Sequence, residues 1–383
     1  MDDLDDVLDL LGELVAIDTT SRTTNLPLLD LVEDRLDGVA THTQRVPDDT
    51  GTKANLLARI GPDAPGGVVL SAHTDCVPVD GQAWTSDPFT LTRHDDRVVA
   101  RGAVDMKGFI ACCLAAAPTL AAADLRAPVW LALSYDEELG ALGARTLAPA
   151  MVDAGAMPDA VIVGEPTSLE PVTAHKGVRA FTYTFSGLGG HSSQPDGGAN
   201  AVVAAARVAA HVADLAAELV GEVDPGFDPP HTTFNVGMIE GGTAINIIPD
   251  HGAVTFEYRA LPSEDGPALA DRIEAFAREV VLPELQRTCP TAELTITSPG
   301  VLPALQPEQD GAAEALVRTL TGTTAPARTA PFGTDASRFQ QVGWSTVVCG
   351  PGRIDVAHRP DEWIAVDQLV RCRRMLETLA SHV

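Results

Sequence analysis

Along the first fifteen residues the apolar positions Leu4, Val7, Leu8, Leu11, Leu14 and Val15 recur at three-and-four spacing, predicting an amphipathic helix with acids in its first turn. Ile17-Asp18-Thr19-Thr20-Ser21 breaks that period and reads as a loop. A second helix is predicted from Pro27 to Leu36, its proline in the first turn, where a missing N–H is harmless. Short apolar runs at Asn55–Ile60 and Gly67–Ser71 predict neighbouring strands of one sheet, and Val129–Ser134 and Val161–Val163 predict two more buried strands. Between them lie a polar, turn-rich loop from Asp80 to Asp95 and an apolar helix-like run from Gly108 to Ala117.

After His175-Lys176-Gly177 the texture changes. Arg179–Ser186 alternates like a half-exposed strand and Ala199–Leu219 is an alanine-rich helix. Strands follow at Thr232–Ile239 and Ala253–Leu261, then a helix over Glu264–Leu282 with Ser263 as its N-cap, and a last strand at Ala292–Ser298. That β-α-β-β-α-β order is the ferredoxin-like signature. From about Gly300 the first texture returns, with a helix at Gly311–Leu320, the loop Phe332–Ala336, a strand at Thr346–Val348 and a closing helix over Val366–Leu379. The pattern predicts an α/β catalytic domain in two parts, residues 1–177 and 300–383, with residues 178–299 inserted as a lid.

Charge narrows the partners. The 383 residues carry 26 basic and 53 acidic side chains, a formal charge of −27, which argues against nucleic-acid or anionic-membrane partners. Lys53, Lys107 and Lys176 are the only lysines; high-GC codon usage and adaptation to high salt both give that composition. No run of eighteen apolar residues exists, and the start is acidic where a signal peptide would be basic. The six cysteines lack zinc-ribbon or disulfide-scaffold spacing, so a cytoplasmic protein with reduced thiols is expected.

Several strands end in candidate chemistry. His73 and Asp75 follow the apolar run Val68–Ala72, and period-two alternation puts both on one side. Such a pair suits a first-row metal, with His73 as nitrogen ligand and Asp75 orienting the ring from behind; alone, it reads more often as a simple hydrogen-bonded pair. Asp105 precedes the apolar helix, at a junction suited to a ligand shared by two metals. Asp136-Glu137-Glu138 follows the strand at Val129–Ser134, and three acids there are costly if buried without positive partners, though unremarkable on a solvated loop. Glu138 is assigned as a ligand and Glu137 as the general base, because neighbouring carboxylates at a turn point in different directions. Glu165 and His358 each follow a further apolar strand. Ligands at the C-terminal edge of several strands fit an open α/β sheet.

His73-Thr74-Asp75-x-Val77-Pro78, Asp105-Met106-Lys107-Gly108, Asp136-Glu137-Glu138, Gly164-Glu165-Pro166-Thr167 and Ala357-His358-x-Pro360-Asp361-Glu362 occur in that order. This pattern resembles the co-catalytic zinc aminoacylase/carboxypeptidase family, over about residues 5 to 380. Gly164–Gly177 and Gly350-Pro351-Gly352-x-Ile354 look most like its acetylornithine deacetylase branch. The resemblance implies a three-layer zinc-peptidase-like catalytic domain and an inserted lid that dimerises. It implies His73, Asp105, Glu138, Glu165 and His358 as ligands of two divalent ions, zinc or sometimes cobalt, with Asp105 bridging. Glu137 matches the base and Asp75 the carboxylate behind His73. His191 looks like the family's lid histidine, which reaches the partner subunit's site and supports the oxyanion. Asn246 and Arg259 look like substrate contacts, and Gly333 and Thr334 sit where the family meets the α-carboxylate. On residues alone His191 reads as well as a surface histidine, Arg259 as a solvated strand residue and Asn246 as a turn former. The implied activity is amide hydrolysis of a small N-acylated amino acid, N-acetylornithine first, in arginine biosynthesis. Succinyl-diaminopimelate desuccinylation or a broader aminoacylase or dipeptidase activity stands as the alternative.

Overall fold

The structure, a computed structural model, describes residues 2–221 and 223–383. In chain order the main elements are α1 (Asp2–Ala16), α2 (Leu26–Leu36), β1 (His42–Pro47), β2 (Ala54–Ile60), β3 (Val68–His73), α3 (Gly108–Ala122), β4 (Val129–Ser134), α4 (Ala144–Asp153), β5 (Ala160–Pro166) and β6 (Val172–His175). These lead to β7 (Gly177–Ser186), α5 (Ala201–Leu219), β8 (Thr233–Gly241), β9 (His251–Ala260), α6 (Gly266–Ala275) and β10 (Leu294–Leu302). The chain returns through α7 (Ala312–Thr321), β11 (Arg328–Ala330), α8 (Ala336–Gln341), β12 (Thr346–Gly350) and α9 (Val366–Thr378). Two compact units result. One comprises the chain up to Ala174 with Gln306–Arg328 and Thr334–Val383; the other comprises His175–Leu305 with Thr329–Gly333.

An eight-stranded sheet, most of it in the first unit, has the order β1-β2-β4-β3-β5-β12-β6-β11. Strands β4, β3, β5 and β12 are parallel, so their C-terminal ends share one edge. Alternation along the strands makes two buried faces. Leu56, Ala58, Val68, Leu70, Leu131, Ile162 and Val347 join one core with Leu11, Phe109 and Leu369 from α1, α3 and α9. The intervening Leu57, Val69, Ala132, Val161 and Val348 are buried as well, with α4 and α8 packed on these strands and on each other. This is the three-layer α/β arrangement. Each fully buried Leu, Val or Phe contributes roughly 1.5–3 kcal/mol, which holds the sheet against the charge concentrated at its edge.

Three details differ from the sequence reading. Strands β2 and β3 share a sheet but are not neighbours, because β4 pairs with both; the apolar runs record burial, not adjacency. Strand β1 and helix α4 had no apolar signal to announce them. The first is an edge strand of mixed exposure, and the second carries an internal Pro149. Part of the Asp80–Asp95 loop is strand: Thr92–His94 pairs with Arg97–Val99, which pairs in turn with Trp363–Ala365.

In the second unit the sheet order is β8-β9-β7-β10, all antiparallel, with α5 and α6 completing the ferredoxin-like order. Asn200 caps α5 by accepting the Val203 N–H at 3.0 Å. Asp265, not Ser263, caps α6, accepting the Ala268 N–H at 3.0 Å. From α6 the helical path continues through a wide turn at Phe276–Val281 to Leu282–Gln286. The stretch Ala103–Ala122 is long and apolar enough to cross a membrane, but 89% of its window is buried inside the protein, as befits a core helix.

Candidate active site

The parallel strands deliver the chemistry to one edge. His73 ends β3 opposite Ser134, the last residue of β4, and Glu165 lies beside the point where Pro166 of β5 meets Gly350 of β12. Past β4 the backbone enters the left-handed region at Asp136, φ 50°. This turns the chain so that the amides of Glu137 and Glu138 donate to the Asp75 carboxylate at 3.0 and 3.3 Å. Lys53 pairs with Asp136 and also donates to the Ser21 carbonyl. Asp105 comes from the irregular turn Ala103–Lys107 ahead of α3. His358 follows β12 on a loop where it too is left-handed, φ 62°.

The Asp105 carboxylate lies between two imidazoles. Its Oδ1 is 2.9 Å from His73 Nε2 and its Oδ2 is 3.1 Å from His358 Nε2. Each imidazole has a second carboxylate of its own: Glu165 Oε1 at 3.6 Å from His73 Nε2, and Glu138 Oε1 at 3.0 Å from His358 Nε2. The other nitrogen of His73, Nδ1, meets the Asp75 carbonyl at 2.9 Å and the Asp75 carboxylate at 3.6 Å. Ligand atoms of His73, Asp105 and Glu138 lie within 4.8 Å of one another, as do those of His73, Glu137 and Glu165. All seven residues placed at this centre from the sequence are therefore gathered here.

The cluster is starved of positive charge. Burial, with Glu165 close by, pushes Glu137 well above the usual carboxyl range. Burial and Asp105 raise both Glu138 and Glu165. Burial alone would lower His73, but Asp105 and Asp75 outweigh it and hold the ring well above its ordinary value. His358 is lifted to about 10 by Asp105 and Glu138. Burial works against ionised Asp105, yet His358 and His73 bring it below the usual range. Five carboxylates facing two imidazoles make a nitrogen-and-oxygen donor set suited to first-row divalent cations, and such cations supply the charge the buried acids lack. The residues fit a two-metal centre.

The remaining predicted residues belong elsewhere in the chain. His191 and Asn246 are brought together within the second unit. The short strand Gly190–His191 pairs with Ile247–Ile248, and the Asn246 carbonyl accepts the Ser192 N–H at 3.1 Å. His191 is exposed, its Nδ1 2.8 Å from the Ser193 hydroxyl. Arg259, on β9, donates from Nε to Glu257 at 3.2 Å. Gly333 is a packing position, since an added Cβ would lie 2.3 Å from Leu302. Thr334 is buried, and its hydroxyl accepts the Ala336 N–H at 3.2 Å.

Several participants escaped sequence reasoning. Ser21 donates to Asp75 at 2.7 Å from a stretch that reads only as loop. Asp335 is buried with Oδ2 2.5 Å from the Ser134 hydroxyl, while its Oδ1 has no hydrogen-bond partner. Burial raises it to about 6. An acid directly after Gly333-Thr334 was a visible signal. Arg101 and Glu362, 2.6 Å apart and buried, lie 261 positions apart in the chain.

The model of Peptidase family M20/M25/M40 matches residues 69–382. The chain is 40% identical to an acetylornithine deacetylase of Myxococcus xanthus, over 97% of this chain and 96% of that protein. Its fold is that of a tripeptidase from Staphylococcus aureus, with a TM-score of 0.75, 19% identity, and 99% of each chain covered. A dinuclear metal binding peptidase of the M20 family from Bacillus subtilis superposes at a TM-score of 0.67, with 15% identity and 99% and 98% of the two chains covered. The chain belongs to Peptidase family M20/M25/M40 and is a metal-dependent amidohydrolase.

Proposed function

We propose that the chain hydrolyses N-acetylornithine to ornithine and acetate, a step of arginine biosynthesis, with two zinc ions as its metals and cobalt as a competent substitute. The relative from Myxococcus xanthus, matched along nearly its whole length, supports the substrate. The observation that carries the metal reading is the Asp105 carboxylate with one oxygen toward His73 and the other toward His358. His73, Asp105 and Glu165 would hold one cation; Asp105, Glu138 and His358 would hold the other.

Cations held there would polarise the acyl oxygen and lower the pKa of a bound water toward about 7. Glu137 would take a proton from the attacking water as the water oxygen bonds to the acyl carbon. When the C–N bond breaks, Glu137 hands the proton to the leaving amine, so the carboxylate is regenerated. One carboxylate within reach of both the water and the amine can serve both halves of that duty. Asp75 holds the His73 ring and the Glu137 backbone. His191 would support the oxyanion of the partner subunit's substrate, a contribution of roughly 3–4 kcal/mol if it acts like other such donors. Arg259 would clamp the α-carboxylate, with Asn246, Gly333 and Thr334 as further contacts.

The second unit would mediate a homodimer. Met238, Ile239, Ile245 and Ile247 are exposed there, and β8 is an edge strand of its sheet, a combination that invites pairing with another copy. The six cysteines are free and buried, which supports a reducing, cytoplasmic setting. A panel of N-acetylornithine, N-succinyl-diaminopimelate, N-acetylmethionine and a dipeptide, with and without added zinc or cobalt, tests the assignment. The highest kcat/KM on N-acetylornithine, dependent on metal, is expected. Preference for the succinyl substrate or the dipeptide would overturn the substrate, and full activity without metal would overturn the mechanism.

A further inference from the structure

Glu362 stands outside the cluster of acids, yet it touches the turn that carries Asp105. Its Oε1 accepts the backbone N–H groups of Val104 at 3.0 Å and Asp105 at 3.2 Å. Its Oε2 takes the Arg101 guanidinium at 2.6 Å. Both side chains are buried, with side-chain exposures of 1% and 0%. The Glu362 carbonyl also accepts the Ala100 N–H at 3.0 Å, and the next residues pair with Arg97–Val99. Backbone and side chain thus hold Glu362 from two directions.

Arg101 extends this chain of contacts outward. Its Nη2 donates to Gln82 Oε1 at 2.5 Å and its guanidinium lies over the Trp84 ring, 5.0 Å from the centroid. Gln82 accepts the Trp84 indole N–H at 3.0 Å and donates from Nε2 to the His358 carbonyl at 3.3 Å. Thr85 donates its backbone N–H to Asp361 at 2.9 Å. The loop held this way carries two residues in the left-handed region, His358 at φ 62° and Asp361 at φ 54°. Asp and His reach that region more readily than most residues, and the contacts around the loop keep both there.

An ion pair used only for stability would be a poor use of a buried site, since a well-packed apolar pair does as well. What an apolar pair would not do is accept two backbone amides on one side and reach the His358 carbonyl on the other. We propose that Glu362 and Arg101 form a positioning clamp, with Gln82 as its outer arm, that holds the Asp105 turn and the His358 loop in register so that each Asp105 oxygen keeps its own imidazole. None of the three is a catalytic residue, because none touches the reacting atoms. The clamp rests on the two-metal reading and specifies what keeps that centre assembled before a cation arrives.

Variants that remove both charges together separate the clamp from plain stability. Arg101→Met with Glu362→Gln keeps an oxygen for the Val104 and Asp105 amides. Arg101→Met with Glu362→Leu removes it. Gln82→Leu cuts only the outer arm, at a half-buried position. Zinc chloride titrated into the chelator-stripped full chain, followed by calorimetry, reads the effect, with thermal melts alongside. The leucine pair should bind zinc about 10- to 100-fold more weakly, the range found when partners behind metal ligands are lost. The glutamine pair keeps the acceptor but loses the Arg101 link to Gln82, so it should weaken binding several-fold, as Gln82→Leu should at an unchanged melting temperature. Zinc affinity equal to wild type in the leucine pair and in Gln82→Leu would overturn the clamp. If the leucine pair does not fold, Gln82→Leu decides. Wild-type protein that takes up no zinc would instead refute the two-metal reading, and the clamp with it.

Discussion

The Asp75 carboxylate accepts the backbone N–H of Glu137 at 3.0 Å. The same group takes the Glu138 N–H, the Ser21 hydroxyl and the flank of the His73 ring. Asp75 therefore sets the direction of an imidazole, through its carbonyl at 2.9 Å with its carboxylate at 3.6 Å, and its carboxylate sets the place from which the base and its neighbour project. Asp75→Ala leaves three donors without their acceptor. It should destabilise the protein by about 1–3 kcal/mol for each donor that water does not reach and weaken zinc binding about 10- to 100-fold. Thermal melts and a zinc titration check this; an unchanged titration would mean that the His73 ring is oriented without Asp75.

Glu137→Gln keeps the shape of the base and removes its ability to take a proton. Metal content should match wild type while kcat falls by about 10²- to 10⁴-fold. Elemental analysis and steady-state rates on the same preparation provide the check. Full turnover would move the base to another residue, and loss of metal would move Glu137 among the ligands.

Much of this centre was legible before any coordinates. His73, Glu165 and the Glu137-Glu138 pair each follow a short apolar run, and four such runs in parallel register carry their ends to one edge. The local signal was strong because a buried strand ending in a charged residue is a costly arrangement. Arg101, Glu362 and Ser21 were not legible as partners, because their contacts join segments far apart in the chain. The order of strands was hidden for a related reason: β4 is as apolar as β2 and β3, and nothing in a buried strand's composition says which strand it pairs with. The cap at Asp265 in place of Ser263 is a two-residue matter of which side chain meets the free Ala268 N–H first.

Asp335 gives a pH-dependent prediction. Burial lifts its carboxyl from the ordinary 3.8 to about 6. Its contribution to stability is therefore complete below the unfolded value and is lost as pH rises through about 6. Metal-free wild-type protein should lose on the order of 2–3 kcal/mol relative to Asp335→Asn between pH 4 and pH 7.5. Denaturant melts of the two proteins at both pH values measure the difference. A gap that closes or reverses toward high pH would show that the ionised carboxylate is stabilised in the folded state beyond what the Ser134 hydroxyl supplies.

The surface makes its own demand. At a formal charge of −27 the chain repels itself, and its three lysines are committed to contacts inside the protein. Lys107 donates to the Leu14 and Ile17 carbonyls, Lys176 to those of Pro229 and His231, and Lys53 to Asp136. Raising sodium chloride from 0.05 to 1 M shortens the screening length from roughly 14 Å to about 3 Å, so the melting temperature should rise by several degrees. A flat or falling profile would mean that exposed ion pairs outweigh the net repulsion.

The two-metal proposal turns on the Asp105 carboxylate, which would stand between the two ions. An anomalous-scattering map from crystals of the zinc-loaded protein tests it directly. The account predicts two zinc peaks, one shared by His73, Glu165 and Asp105 and the other by His358, Glu138 and Asp105. A map with no peak at Asp105, or with a single peak that leaves either His73 or His358 outside it, would contradict it.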